Sequence, residues 1–312
     1  MQEDATGKMN WSNILIHNRS MSVHSGRIPL FSSIMERGKI MSSHSIVKFN
    51  IMTSLLTVVN RNDTRSTDYV IAEYLLRHLR DLGKLSIYKV ADDCFVSRSS
   101  VQRFIKALGY DSFTEFKDGA RELEVHKKAF IDYTDHPDYA EYLEEQLNHM
   151  AGSISQAASQ QKLTMLARKI HDSQTVVMMA SESSAGPLNT FQESLAVFGK
   201  VIRILTSSSS SVQFLEDLGD KDLVINCSVS GNYALAINDD IQKIHCEKVL
   251  VTLNRTVLLA NNYDCVFYLS SEVTPSVRNI SASRNVYTRY SLTFFLDLLY
   301  HTYYSMYATE LS

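Results

Sequence analysis

With 312 residues, 45% of them hydrophobic, and a formal net charge of −3, the chain is long enough for more than one packed domain and too apolar to be a disordered polymer. The slightly acidic balance excludes adhesion of the whole molecule to nucleic acid by bulk charge, so any DNA affinity must come from a local patch. No apolar run reaches bilayer length and the N-terminus lacks the apolar core and cleavage site of a signal peptide, which points to a cytosolic chain with no membrane partner.

Residues 1–45 are rich in Ser, Asn, Arg and Met without periodicity and read as a poorly ordered extension, with Met41 a candidate functional start. The first strong helical pattern runs from Thr67 to Leu82 and puts Val70, Ile71, Tyr74, Leu75, Leu79 and Leu82 on one stripe. Ser86 to Gly109 then reads as two short helices joined by a tight turn. Ser86 and Ser97 stand where an N-cap hydroxyl accepts a first-turn amide, and Gly109 stands where a left-handed C-cap residue belongs. Ile87, Val90 and Ala91, then Val101, Phe104, Ile105 and Leu108, give each helix one apolar face. The opposite side of the second helix offers Ser97, Arg98, Ser99, Ser100, Gln102, Arg103 and Lys106, with no acid from residue 98 to 108. These side chains suit phosphates and base edges, so the pair of helices is expected to read double-stranded DNA, although a solvated surface helix carries similar residues.

From Glu122 to Thr134 the helical pattern fades into a charged connector, and His136-Pro137 marks a break. Tyr139, Leu143, Leu147, Met150 and Ile154 form a helix seam, followed by a helix over Leu163 to His171. Five apolar runs follow, at 176–180, 200–205, 222–228, 248–253 and 265–269, alternating with helix-length segments of which Leu188 to Phe198 and Ala234 to Ile244 are the clearest. Strands apolar throughout are buried on both faces, so the expected architecture is a three-layer α/β domain on a parallel five-stranded sheet. Ligands of such sheets bind at the carboxyl ends of the strands. Two of those ends are rich in hydroxyls: Ser181-Glu182-Ser183-Ser184 after the first strand and Ser228-Val229-Ser230-Gly231-Asn232 after the third. Serine turns at helix starts can cradle a phosphate with hydroxyls, amides and the helix dipole, and they also serve as ordinary caps. The Ser207 to Ser211 tract reads as the second strand's exit loop, leading into a helix around Val212 to Leu218 close to the same site.

Cys94, Cys227, Cys246 and Cys265 form no CxxC pair and no metal-ligand spacing, which fits buried thiols in a reducing compartment; no metal or other cofactor is expected. The segment from Asn279 to Tyr307 is helical in pattern and loaded with Tyr287, Tyr290, Phe294, Phe295, Leu298, Leu299, Tyr303 and Tyr307, more apolar surface than one helix face buries within a subunit. Symmetric pairing of two chains would place two recognition helices about one turn of DNA apart, so a homodimer or higher homo-oligomer is expected.

The runs IAEYLLRHL at 71–79 and SIYKVADDCFVSRSSVQRFIKALGYDSFTEFK at 86–117, with the strand, serine turn, LAVFGK at 195–200, GDKD at 219–222 and SVSG at 228–231, resemble the RpiR-type bacterial transcription regulators. That family joins an N-terminal helix-turn-helix to a C-terminal sugar isomerase (SIS) domain, and the resemblance covers about Ile46 to Tyr307. It implies a DNA-binding domain over 46–121, a connector over 122–138 and an effector-binding and dimerisation domain over 139–312. It further implies a phosphosugar effector held by Ser183, Ser184, Ser228, Ser230 and Gly231 with Ser207 and Ser208 nearby, and a regulator of carbohydrate metabolism. Ser184 falls at the usual phosphate-binding serine; Ala180 and Glu182 stand where glycines are usual, and Tyr233 where a threonine is usual. Thr288-Arg289 and Asp297-Leu298-Leu299 fall at recurrent positions of the family, which supports a role of this segment at the subunit interface, beside the alternative of an ordinary closing helix of the SIS core. Two alternatives belong to other classes. One is a sugar-phosphate isomerase or lyase, for which Glu182, Glu193 and His245 are the available bases, and the other is a regulator whose SIS domain only dimerises.

Overall fold

The computed structural model describes residues 51–206, 213–271 and 285–311. The extension at 1–45 and Ser207 to Ser211 lie outside them.

The chain first builds a helical head. Helix α1 (Ile51–Arg61) buries Ile51 and Leu55, and α2 (Thr67–Arg77) starts at Ser66, whose hydroxyl accepts the Tyr69 amide. The expected helix over Thr67 to Leu82 is divided: α2 stops at Arg77 and Leu79–Lys84 tightens into a 3₁₀ turn. The His78 ring stacks on Tyr74 at 4.1 Å and its Nδ1 lies 2.7 Å from the Tyr74 carbonyl, so the side chain occupies the end of the ladder. The tighter turn still buries Leu82. Next come α3 (Ile87–Asp93) and α4 (Arg98–Ala107), started by the Ser86 and Ser97 hydroxyls, which accept the Lys89 and Ser100 amides at 3.1 Å each. Gly109 closes α4 with φ 88°. A fifth helix, α5 (Phe113–Asp118), adds Phe113 and Phe116 to a core formed with Ile71, Leu75, Val90, Val101, Phe104 and Ile105.

The expected charged connector is a continuous helix, α6 (Ala120–Thr134). Glu, Lys, Arg and Ala are good helix formers without an apolar stripe, so propensity carries a segment in which periodicity is weak. Its two ends belong to different cores. Leu123 packs into the head cluster, whereas Tyr133 packs among the residues beneath the sheet, so a continuous helix joins the two regions.

Beyond α7 (Tyr139–Ala157) and α8 (Gln160–Asp172), five strands form an all-parallel sheet: β1 (Val176–Ala180), β2 (Ile202–Thr206), β3 (Leu223–Cys227), β4 (Glu247–Thr252) and β5 (Cys265–Tyr268), in the order β2-β1-β3-β4-β5. Alternate residues of β1 serve opposite layers. Val176, Met178 and Ala180 join Leu166, Ile170, Leu188 and Phe295 on one face, while Val177 and Met179 join Leu215, Ile237 and Ile241 on the other. On the first face lie α9 (Ala185–Ala196) and the long C-terminal helix α13 (Val286–Tyr307), whose start is fixed by a capping box between Asn285 and Thr288. The expected helix over Ala234 to Ile244 is two short pieces, α10 (Asn232–Ala236) and α11 (Asn238–Ile241), divided at Ile237, whose φ of −101° and ψ of 14° depart from helical geometry. The segment expected as a helix near Val212 to Leu218 is a 3₁₀ turn over Gln213–Asp217, and a four-residue helix α12 (Val257–Ala260) follows β4.

Helix α13 touches α7, α8 and α9, which covers more of its aromatic surface than one face would require. Phe295, Leu299 and Tyr303 are fully buried; Tyr290, Phe294 and Tyr307 are half-buried, and Tyr304 is its one exposed large hydrophobic among the described residues. The surplus surface expected from the sequence is thus largely used within the chain.

One backbone feature of the head runs against sequence preference. Phe95, in the turn between α3 and α4, has φ 54° and is 96% exposed. A left-handed conformation costs an L-residue about 1 to 2 kcal/mol, and the exposed ring recovers none of it by burial. Phe95→Gly removes that strain at the cost of a more flexible unfolded chain, so a net gain of about 0.5 to 1 kcal/mol is expected in urea denaturation.

Candidate functional site

The outward face of α4 is the first part of the site. Ser99, Arg103 and Lys106 fall on successive turns of one face and are exposed, and neither Arg103 nor Lys106 makes an ion pair among the described residues. The other expected contacts are partly committed. The Ser97 hydroxyl caps the helix and bonds the Ser99 and Ser100 hydroxyls at 2.9 Å each, and the Gln102 amide donates to the Asp111 carbonyl at 3.2 Å, bracing the turn into α5. Arg98 is exposed, with its guanidinium 4.7 Å from the centre of the Tyr88 ring, a cation–π contact that fixes its direction. Among the described residues, Arg103 and Lys106 are the exposed cations of this face that make neither an ion pair nor a ring contact.

The second part lies at the carboxyl edge of the sheet. Ala180 of β1 is paired with Thr206 of β2 on one side and Cys227 of β3 on the other, so the turns after β1 and β3 leave side by side. The chain runs outward from β1 to β2 in one direction and onward from β3 to β5 in the other, which makes the gap between β1 and β3 the switch point of the sheet. The two serine turns that flank this gap differ in what their hydroxyls do.

In the first turn, Glu182–Ser184 forms one 3₁₀ turn ahead of α9. The Ser181 hydroxyl lies 3.0 Å from that of Ser183 and 3.4 Å from that of Ser184, and none of the three caps a backbone amide. Among the described residues, these hydroxyls bond one another. Glu182, between them, accepts a hydrogen bond from Arg61 Nη2 of α1 at 3.0 Å.

In the second turn, Ser228 is buried and its hydroxyl accepts the Ala234 amide at 3.1 Å, which gives it a structural task as the cap of α10. Ser230 accepts the Asn232 amide at 3.3 Å. Gly231 has φ 83°, and a Cβ there would come within 2.6 Å of the Asn254 side chain. Asn254, in the loop after β4, donates to the Ser230 carbonyl at 3.1 Å and so clamps the turn from its far side. Tyr233, at a position that is usually threonine in the resembling family, turns away from the gap into the opposite core with Met179 and Leu205; burial holds its phenol well above the ordinary tyrosine range. Ser207 and Ser208 lie outside the described residues.

The candidate bases do not converge. Glu193 is exposed on α9, His245 is exposed just before β4 at the opposite end of the sheet, and Glu182 is paired with Arg61. All four cysteine thiols are free and pushed upward by burial, to about 11 at Cys94 and Cys246 and about 12 at Cys227. No helix among the described residues is long and apolar enough to cross a membrane.

Residues 55–121 are a helix-turn-helix domain of the rpiR family. The rpiR match thus spans α2 to α5 and most of α1. No curated protein matches the chain in sequence. Among solved structures, the chain is similar to the Vibrio vulnificus NanR protein complexed with ManNAc-6P (15% identity, 84% of this chain and 94% of that one, TM-score 0.43). It is also similar to the sugar isomerase domain of an RpiR transcription factor from Sphaerobacter thermophilus (16% identity, 59% and 92%, TM-score 0.40). A third similar structure is a Methanococcus jannaschii protein whose inferred function is 3-hexulose-6-phosphate isomerase (15% identity, 54% and 95%, TM-score 0.41).

Two residues of this region carry no sequence signal. Asn254 sits in an unremarkable strand exit, and Arg61 is 121 residues from the carboxylate it meets. The unequal duties of the serines have a measurable consequence. Ser228→Ala strands the buried Ala234 amide and is expected to cost about 1 to 2 kcal/mol of stability, whereas Ser184→Ala costs less than about 0.5 kcal/mol; denaturant titration of the two variants checks the contrast.

Proposed function

We propose that this chain is a DNA-binding transcriptional regulator of carbohydrate metabolism, that α4 reads an operator, and that a phosphosugar held between the β1 and β3 exits controls operator binding. The observation that carries this reading is the presence in one chain of an rpiR-family helix-turn-helix and a parallel sheet whose switch point bears three hydroxyls uncommitted to capping. A phosphate at that point receives hydroxyl donors from Ser183 and Ser184 and backbone amides from both turns, with Ser230 and Gly231 on the opposite wall. Ser228 shapes the wall as a cap and retains its hydroxyl proton for donation.

The regulator acts in the cytoplasm as a homodimer or higher homo-oligomer, which matches paired recognition helices to a palindromic operator. Catalysis is not part of this reading: an isomerase needs a base at the sugar carbons, and His245 and Glu193 are remote from the hydroxyl cluster while Glu182 is tied to a cation. Helix α6, anchored at one end in each core, is the path by which occupancy of the sheet moves the head.

Duplexes selected by the full chain from a random-sequence pool supply the operator for two tests. Arg103→Ala is expected to weaken specific binding by about 1 to 3 kcal/mol, and Lys106→Ala to weaken binding on all sequences while lowering the salt slope, as read by fluorescence titration. Unchanged affinity in the double variant removes α4 as the reader. For the effector, calorimetry against hexose and N-acetylhexosamine 6-phosphates should show micromolar-class binding that falls about tenfold in Ser183→Ala/Ser184→Ala. An isomer product appearing during the same incubations would favour the enzymatic alternative.

A further inference from the structure

Arg98 opens α4 at the end of a helix where a cation is least favoured. The unpaired amides of a first turn carry partial positive charge, and no acid stands in that turn to offset the guanidinium. Asp92 and Asp93 lie close by in the chain, yet the Arg98 side chain makes no ion pair and no hydrogen bond among the described residues. Asp93 is taken by Lys89 at 3.0 Å and by the Tyr74 hydroxyl. What holds Arg98 is the Tyr88 ring, whose centre lies 4.7 Å from the guanidinium carbon. Tyr88 is 58% exposed and stands in the first turn of α3, aimed outward by the Ser86 cap and by Val90 and Ala91 buried on the other side. A large ring that gains little from burial thus meets a cation that its own helix disfavours.

We infer that Tyr88 is a positioning residue for DNA reading: its ring holds the Arg98 guanidinium in place, and Arg98 sets its planar fork on O6 and N7 of a guanine in the major groove. This rests on the operator-reading role of α4 proposed above and names one base and the residues that choose it. Recognition helices read base edges with their N-terminal residues, which is where Arg98 stands. Arginine is the side chain whose geometry matches the two guanine acceptors. A carboxylate partner would consume its N–H donors and cancel its charge, whereas a ring attracts the cation through its quadrupole and consumes neither. A long side chain also loses rotamer freedom when it binds a base, and one already held over a ring has less to lose. Because the contact is exposed, its contribution is a factor of a few in affinity rather than of hundreds.

The test uses the full chain and duplexes that it selects from a random-sequence pool, with affinity read by fluorescence titration and folding by urea denaturation. Tyr88→Leu, which removes the π face and keeps apolar bulk, should weaken operator binding about threefold to tenfold and leave binding to unselected duplexes unchanged. Tyr88→Phe, which keeps the ring, should stay within about twofold of the wild type. Replacing the operator's guanines one at a time by 7-deazaguanine, which lacks the N7 acceptor, should reveal a position in each half-site that costs the wild type about fivefold or more and costs Arg98→Ala nothing. Tyr88→Leu/Arg98→Ala should bind no more weakly than Arg98→Ala alone. Wild-type affinity in Tyr88→Leu, a loss shared equally by unselected duplexes, losses that multiply in the double variant, or the absence of a guanine read through Arg98 overturns the assignment and leaves α4 standing as the reader. A loss in Tyr88→Phe equal to that in Tyr88→Leu moves the role to the hydroxyl and overturns it as well. Failure of the wild type to select any duplex overturns both.

Discussion

The pairing of β1 with β2 on one edge and β3 on the other is the constraint from which the rest of the sheet domain follows. A central parallel strand spends its amides and carbonyls on two neighbours, and its residues alternate between two apolar layers, so a one-residue slip would send Met178 and Met179 into each other's layer and force both to repack. Fixed in that way, Ala180 and Cys227 end their strands level with one another. The turns that follow leave along the same edge, and the strand order reverses between them, which is where doubly wound sheets as a class bind their ligands.

The two turns flanking the gap illustrate how one residue type does two kinds of work. Ser228 is buried and holds the start of α10, and Gly231 and Asn254 lock the rest of that turn. Among the described residues, the Ser181 hydroxyl bonds those of Ser183 and Ser184. A rigid wall thus faces an uncommitted one, which is the arrangement expected of a site that must be shaped in advance and still exchange its hydrogen bonds with an incoming group.

In the head the same economy of caps recurs. Ser66, Ser86, Ser97 and Ser112 each satisfy a first-turn amide, so four short helices begin at defined points around a core only a few side chains deep. The strained Phe95 turn sets the angle at which α4 leaves α3. With its inner face filled by Val101, Phe104 and Ile105, α4 turns Arg98, Ser99, Arg103 and Lys106 outward, and the long α6 runs from the head to Tyr133 beneath the sheet.

Much of this was legible in the chain itself. The five strands, the serine caps, the left-handed Gly109 and the outward face of α4 are local features, decided by periodicity of two or 3.6 residues and by hydroxyls a few positions from the amides they accept. The charged α6 was not, because helix propensity without an apolar stripe leaves no periodicity to read. Nor were the end of α2 at Arg77 and the division at Ile237, where a stacked histidine and one non-helical residue interrupt patterns that look continuous. Tyr233 could not be assigned to core or cleft from sequence, since its direction depends on which layer has room for a phenol. The meeting of Arg61 with Glu182 has no local trace at all. Sequence fixes what each residue can do within a few positions along the chain; whether a carboxylate in a serine turn stands alone or beside a guanidinium depends on packing between residues 121 apart, and only the tertiary structure decides it.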